Sequence, residues 1–164
     1  MTIPELRSAG IVDVEFGPDV TVVEPVNLYG CRIGGGCFIG PFVEIQRGVV
    51  IGSRTKVQSH AFICELVTIG EDCFVGHGVM FVNDTFATGG PARGRKELWR
   101  STSIANRVSI GSNATILPVQ ICDDVVIGAG AVVTRSIVEP GVYAGNPARR
   151  LRPLPGPKNT PEGA

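Results

Sequence analysis

From Ile33 onward every sixth residue is bulky and apolar for nine steps: Ile33, Ile39, Ile45, Ile51, Val57, Ile63, Ile69, Val75 and Phe81. The following residue is Gly at 34, 40, 52, 70 and 76. Four residues after the bulky positions stand Cys37, Val43, Val49, Thr55, Ala61, Val67, Cys73 and Val79, all small or medium. The step resumes at Ile104, Ile110 and Ile116, loses one residue, and continues at Ile121, Ile127 and Val133. Upstream, Phe16, Val22 and Leu28 keep it in a phase shifted by one.

A period of six is neither the 2.0 of a half-buried strand nor the 3.6 of an amphipathic helix. A helix carrying these glycines would also lose about 1 kcal/mol per Gly relative to Ala. Short strands joined by tight corners do fit, with the glycines expected to supply backbone freedom at the bends. Three hexads close one triangular coil of eighteen residues. Stacked coils bury a column of Ile and Val and pair their backbones at a spacing of about 4.8 Å. The expected class is all-β: a parallel β-helix with one long loop and a C-terminal cap.

Residues 11–83 read as about four coils, the first irregular, and 104–137 as about two more. Between Phe81 and Ile104 the chain takes far more residues than one hexad, so 84–103 is an inserted loop. Loops this long in compact domains are commonly functional. It carries Arg93, Arg95, Lys96, Trp99 and Arg100, suited to covering a substrate or meeting phosphates. Glu139-Pro140-Gly141 is expected to end the repeat, with 141–150 crossing the open end as a cap. One domain over 1–150 is therefore expected, followed by a tail, 151–164. Its Pro153, Pro155, Pro157 and Pro161 predict flexibility without sheet pairing.

The charge balance is even, 15 basic against 15 acidic residues, so no overall field attracts nucleic acid or an anionic membrane. No apolar run is long enough to span a bilayer, and the first ten residues lack the apolar core of a secretory signal. Five cysteines, odd in number and in no metal-binding spacing, predict reduced thiols and a cytoplasmic location. Cys37 and Cys73 fall in the small inward slot, and Cys64 and Cys122 follow bulky positions, which argues against reactive thiols.

Register places the polar candidates. Arg47, Glu65 and Asn83 are eighteen residues apart, each two after its bulky residue, and so stack on one edge about 4.8 Å apart. Arg47 is expected to be the structural partner of Glu65. His77 falls one hexad before Asn83 and so on a different edge, about 15–20 Å away at about 3.3 Å per residue.

Four segments carry a family resemblance: QSHAFICE at 58–65, GHGVMFVND at 76–84, WRST at 99–102 and GVYAGNPAR at 141–149. With the hexads, they make about residues 11–150 resemble the hexapeptide-repeat acyltransferases. The middle motif is most similar to the CoA-dependent N-acetyltransferases of nucleotide-linked amino-deoxysugars. The resemblance implies a left-handed coil and a homotrimer whose threefold axis runs parallel to the coils, with active sites between protomers. It implies acetyl-CoA or another acyl-CoA as cosubstrate, no metal, and a dTDP- or UDP-linked amino sugar as acceptor.

Within that resemblance, acyl transfer to an amine needs a neutral amine, a stabilised carbonyl oxygen and an exit for the proton. Asn83 is expected to orient the amine or donate to the oxyanion. Glu65 and His60 are expected to bind sugar or accept the proton, although in this subfamily the departing CoA sulfur can take it. Gln58, His77 and Asp84 are substrate-binding candidates. Small residues Gly111, Gly128 and Ala129 would let pantetheine run close to the coils. Pro147 is a further cofactor-binding candidate, and Arg149 and Arg150 would meet the CoA pyrophosphate or 3′-phosphate through charge-assisted contacts. Many relatives place a catalytic His in a Thr-His-Pro-like motif after the corresponding segment; here Thr85-Phe86-Ala87 stands there. The zinc carbonic anhydrases of this architecture need three imidazoles, and this chain has only two His. A different small amine or hydroxyl acceptor, and a non-catalytic trimeric scaffold, remain the alternatives.

Overall fold

The computed structural model describes residues 4–5 and 8–155. Within them the chain winds as a left-handed parallel β-helix of about seven turns. The strands are two to four residues long and fall on three faces. The first face runs from Ile11–Val12 through Asn27–Tyr29, Glu44–Ile45, Phe62–Ile63, Met80–Phe81 and Thr115–Ile116 to Val132–Val133. The second runs from Glu15–Phe16 to Gln120–Ile121, and the third from Thr21–Val22 to Arg149–Arg152. Below, the loop edge joins the first face to the second. The ladder edge joins the second to the third, and the histidine edge returns from the third to the first.

The hexad residues form the core. Leu28, Ile33, Ile39, Ile45, Ile63 and Val75 have no exposed surface, and removing one such side chain typically costs about 2–5 kcal/mol. Register is eighteen residues in the middle of the first face, with Phe62 opposite Glu44 and Met80. It drops to seventeen where the phase slips, as at Leu28 opposite Ile45 and Ile104 opposite Ile121. Backbone groups pair from coil to coil, Gly34 N–H to Ile51 O at 2.8 Å for example. Thr55, in the small inward slot, is fully buried and satisfied: Oγ1 donates to Gly70 O at 2.9 Å and accepts from Cys73 N at 3.0 Å.

The repeat glycines serve a different purpose from the expected one. Gly34, Gly40, Gly52, Gly70 and Gly76 are not among the residues with positive φ. Instead each backs directly onto the next coil. A Cβ on Gly34 would lie 2.6 Å from Ser53 N, and one on Gly76 would lie 2.7 Å from Ser112 N. Close backbone approach, not bending, forbids a side chain there. Left-handed corners are filled mostly by other residues, among them Phe42, Arg54, His60, Asp72, Arg107 and Asn113.

The end of the helix also departs from expectation. Ile137 bridges Ile121, so the second face gains one more partner after the last full strand. Gly141–Ala144 does not cross the open end; it pairs in parallel with Val125–Ile127 as a further rung of the third face. Arg149–Arg152 then turns back antiparallel to it. The sheet therefore includes Leu151 and Arg152, beyond the boundary expected at 150. The rest of the proline tail past Pro155 lies outside the described residues. The inserted loop ends before the strand Thr102–Ile104, so the last two residues of its expected range, 102 and 103, belong to that strand. Among the described residues no helix is long and apolar enough to cross a membrane.

Candidate active site

The predicted column on the loop edge is present. Asn83 Nδ2 donates to the backbone carbonyl of Glu65 at 3.1 Å. A carbonyl only accepts, so this bond fixes which end of the amide is nitrogen. Asn83 Oδ1 is left without a protein partner among the described residues, in a half-buried position. One coil earlier, Gln46 Oε1 accepts the Glu65 backbone N–H at 3.3 Å, and Gln46 Nε2 donates to Glu44 Oε1 at 3.0 Å.

The carboxylate of Glu65 is not paired with Arg47. Its Oε2 lies 2.6 Å from Lys96 Nζ, on the single 3-10 turn Lys96–Leu98 of the inserted loop. The Lys96 ammonium also stands 5.3 Å from the centre of the Trp99 ring. Arg47 lies instead against Gly30, whose lack of a side chain makes room for it.

The loop is tied down at its root. Asn83 O accepts from Arg100 N at 2.9 Å, which brings the two ends of the insertion together. Asp84, expected to touch substrate, has both carboxylate oxygens engaged by the loop itself. Oδ1 accepts from Phe86 N at 3.0 Å and Oδ2 from Ala92 N at 2.7 Å. These bonds hold the first turn of the loop and seat Ala92, which is buried. The Arg100 guanidinium turns inward to the Glu97 and Trp99 carbonyls. Arg93 and Arg95 are exposed and have no ion-pair partner among the described residues. Beside the loop root is a depression of about 350 Å³ whose walls include Thr85, Arg100, Ser101, Pro118 and Gln120.

The remaining candidates gather on the histidine edge, a full face away. His77 Nδ1 and Ser59 Oγ are 2.8 Å apart on successive coils. His60 is exposed, and its ring stacks at 4.8 Å on Phe42. Gln58 precedes them in the same corner. The structure thus brings Asn83, Glu65 and Asp84 together and leaves His60, Gln58 and His77 apart from them within one protomer. Gly111, Gly128 and Ala129 continue the histidine edge towards the C-terminal end. Gly128 is packed so tightly under Ala144 that a Cβ would fall 2.8 Å from its methyl.

At that end Pro147 is exposed in the turn before the last strand. Arg150 Nε lies 3.8 Å from Glu139 Oε2, while Arg149 is exposed. Both border an opening of about 180 Å³ that reaches Val133, Ile137 and Tyr143.

The cysteines match the sequence reading in chemistry. All five are free, and four are buried. Burial pushes the Cys31 and Cys64 thiols up to about 11 and raises Cys37 and Cys73 as well, so none is a ready nucleophile at neutral pH.

Comparison with known proteins bears on this geometry. Residues 30–65 match the model of the bacterial transferase hexapeptide (six repeats), and 101–135 that of the hexapeptide repeat of succinyl-transferase. The chain is 28% identical over 149 residues to the bifunctional protein GlmU of Sphingopyxis alaskensis, covering 76% of this chain and 31% of that protein. It is 34% identical over 121 residues to the serine acetyltransferase of Mycobacterium tuberculosis, covering 70% and 48%. It spans about a third of the length of the GlmU relatives it matches first. Among solved structures, a hexapeptide-repeat acetyltransferase of Vibrio cholerae complexed with acetyl coenzyme A superposes with a TM-score of 0.64. That match has 24% identity and covers 77% of this chain and 72% of that one.

Proposed function

We propose, on the premise that this chain belongs to the hexapeptide-repeat acetyltransferase family, that it transfers an acyl group from acyl-CoA to the amino group of a nucleotide-linked amino sugar. The observation that carries this reading is the Asn83 amide. It is clamped through nitrogen to Glu65 O, its oxygen has no partner among the described residues, and the inserted loop is rooted on its own carbonyl. That oxygen accepts an N–H of the acceptor amine and aims the nitrogen lone pair at the thioester carbon. A C–N bond forms, the C–S bond breaks, and the amine proton leaves with the CoA sulfur. Glu65 is then a holder of the site and of Lys96 rather than the base, because its carboxylate is already committed.

Support for the cosubstrate comes from the Vibrio cholerae structure, which carries acetyl-CoA on the same fold. The reading includes a homotrimer in the cytoplasm, with a neighbouring protomer bringing its histidine edge towards Asn83. The test is thiol release from acetyl-CoA against a panel of UDP- and dTDP-linked 3-amino and 4-amino sugars, with serine included because of the serine acetyltransferase relative. Turnover with an amino-sugar nucleotide is expected. Release with serine alone would move the assignment to a small hydroxyl acceptor, and release with none would leave a scaffold.

A further inference from the structure

We infer that the depression beside Phe42, where the histidine edge meets the first face, seats the nucleobase of the acceptor; this rests on the nucleotide-sugar reading above. The depression holds about 230 Å³, and its walls include Ala9, Pro25, Asn27, Phe42, Val43 and Glu44. Phe42 is the unusual member. Its corner position is left-handed, φ 61°, where the same column elsewhere has His60, Gly78, Asn113 and Gly130. A bulky side chain is disfavoured in that region, and this one gains little burial in return, being 56% exposed. Its ring stacks on His60 and also borders the depression. The result is an aromatic platform at the surface, which suits a planar heterocycle.

The polar wall selects the heterocycle. Asn27 and Glu44 are direct cross-strand neighbours on the outer surface of the first face. Asn27 has no side-chain partner among the described residues. Glu44 is oriented by Gln46 through Oε1, which leaves Oε2 to accept. A carboxylate accepts only, whereas an amide nitrogen donates. An N–H next to a C=O on one ring edge satisfies both, as in the imide of uracil or thymine. Cytosine offers a donor beside an acceptor one position along its edge, as N4–H beside N3, so the two kinds of pyrimidine differ here in register rather than in pattern.

The reach is also right. Two coils separate Glu44 from Met80 in the same outer column, about 10 Å, and three residues lead on to Asn83, about another 10 Å. The diagonal of about 14 Å suits a ribose, pyrophosphate and hexose laid across the first face. At the loop-edge end of the Glu44 coil, Arg47 is exposed and without a carboxylate partner among the described residues, a guanidinium open to a phosphate group.

Calorimetric titration of UDP, dTDP and CDP into the full chain tests the site. UDP or dTDP should bind more tightly than CDP. Phe42→Ala and Asn27→Ala should each weaken UDP or dTDP by at least tenfold, with acetyl-CoA affinity and oligomer size unchanged. Phe42→Trp, which keeps a platform, should retain binding and covers the case in which the alanine variant does not fold. If UDP or dTDP binds the wild type and all soluble variants within twofold of one another, the subsite is wrong while the nucleotide-sugar reading stands. If none of the nucleotides binds the wild type, that reading falls and the subsite with it.

Discussion

The ladder edge and the loop edge are built from the same hexads, yet they use charge in opposite ways. On the ladder edge Arg54 forks onto Asp72 at 2.7 and 2.8 Å and reaches Glu71 at 2.6 Å. Further along the same edge, Arg107 repeats this with Asp124 and Asp123. The column alternates in sign, and each of these guanidinium groups engages two carboxylates, one of them in bidentate geometry. On the loop edge the column Arg47, Glu65, Asn83 leaves Arg47 without a carboxylate and the Asn83 side-chain oxygen without a partner among the described residues. Glu65 takes its cation from the inserted loop. An edge whose charges are paired from coil to coil stitches the coils together, whereas an edge with an unpaired cation and an open amide oxygen can serve a ligand.

That contrast breaks first, and most visibly, at Asn83. Asn83→Ala should lower kcat/KM by at least tenfold with the assembly and melting temperature nearly unchanged; wild-type turnover would remove the loop edge from the chemistry. A smaller effect is expected from the latch. Lys96→Met should raise KM for the acceptor several-fold with a lesser effect on kcat. The exchange Glu65→Lys with Lys96→Glu should recover part of the loss if the pair positions the loop. No recovery, with kcat collapsing in Glu65→Gln alone, would return Glu65 to a proton-transfer role.

The ladder edge should show the reverse pattern, stability without activity. The double variant Arg54→Ala, Arg107→Ala should melt a few degrees lower and keep kcat/KM. These are exposed pairs and their contribution is modest. Its pH dependence follows from the carboxylates. Hydrogen bonds from Arg54 and Arg107 hold the Asp72 and Asp124 carboxyls below their ordinary range. A depressed folded value adds stability that is complete above the unfolded pKa, about 3.9, and fades as pH falls through the folded value. The gap between wild type and double variant should therefore stay constant from about pH 7 to 5 and close below about pH 4. A gap that instead closes as pH rises would contradict this account.

The smallest expected effect is none at all. Cys64, directly before Glu65 and pushed up to about 11 by burial, should resist maleimide at pH 7.5 in wild type. Faster labelling in Lys96→Met would show that the latch keeps this edge closed.

Much of the fold was legible because it is local chemistry repeated. A bulky residue every sixth position and a small one four later define a corner and a rung wherever they occur, so the column of Glu65 and Asn83 could be read by counting eighteen. The repeat glycines were read correctly in place and wrongly in purpose. The sequence marks where a side chain is missing but not what stands opposite, and only the stacked coil shows the next backbone filling that space. The cap was misread for a similar reason. Proline and glycine at 140–141 signal a turn, but whether the chain after it crosses or rejoins the sheet depends on the free edge left by Val125–Ile127.

By itself, then, the order of residues settled the periodic part: a triangular solenoid, its core, and which polar side chains share an edge. Each of these depends on contacts at a constant separation along the chain. Tertiary structure alone decided the aperiodic part. Lys96 rather than Arg47 meets Glu65, Asp84 is consumed by its own loop, and Phe42, Asn27 and Glu44 face one hollow. No fixed spacing encodes those meetings, since a long insertion can close in many ways and the surface it lands on selects one.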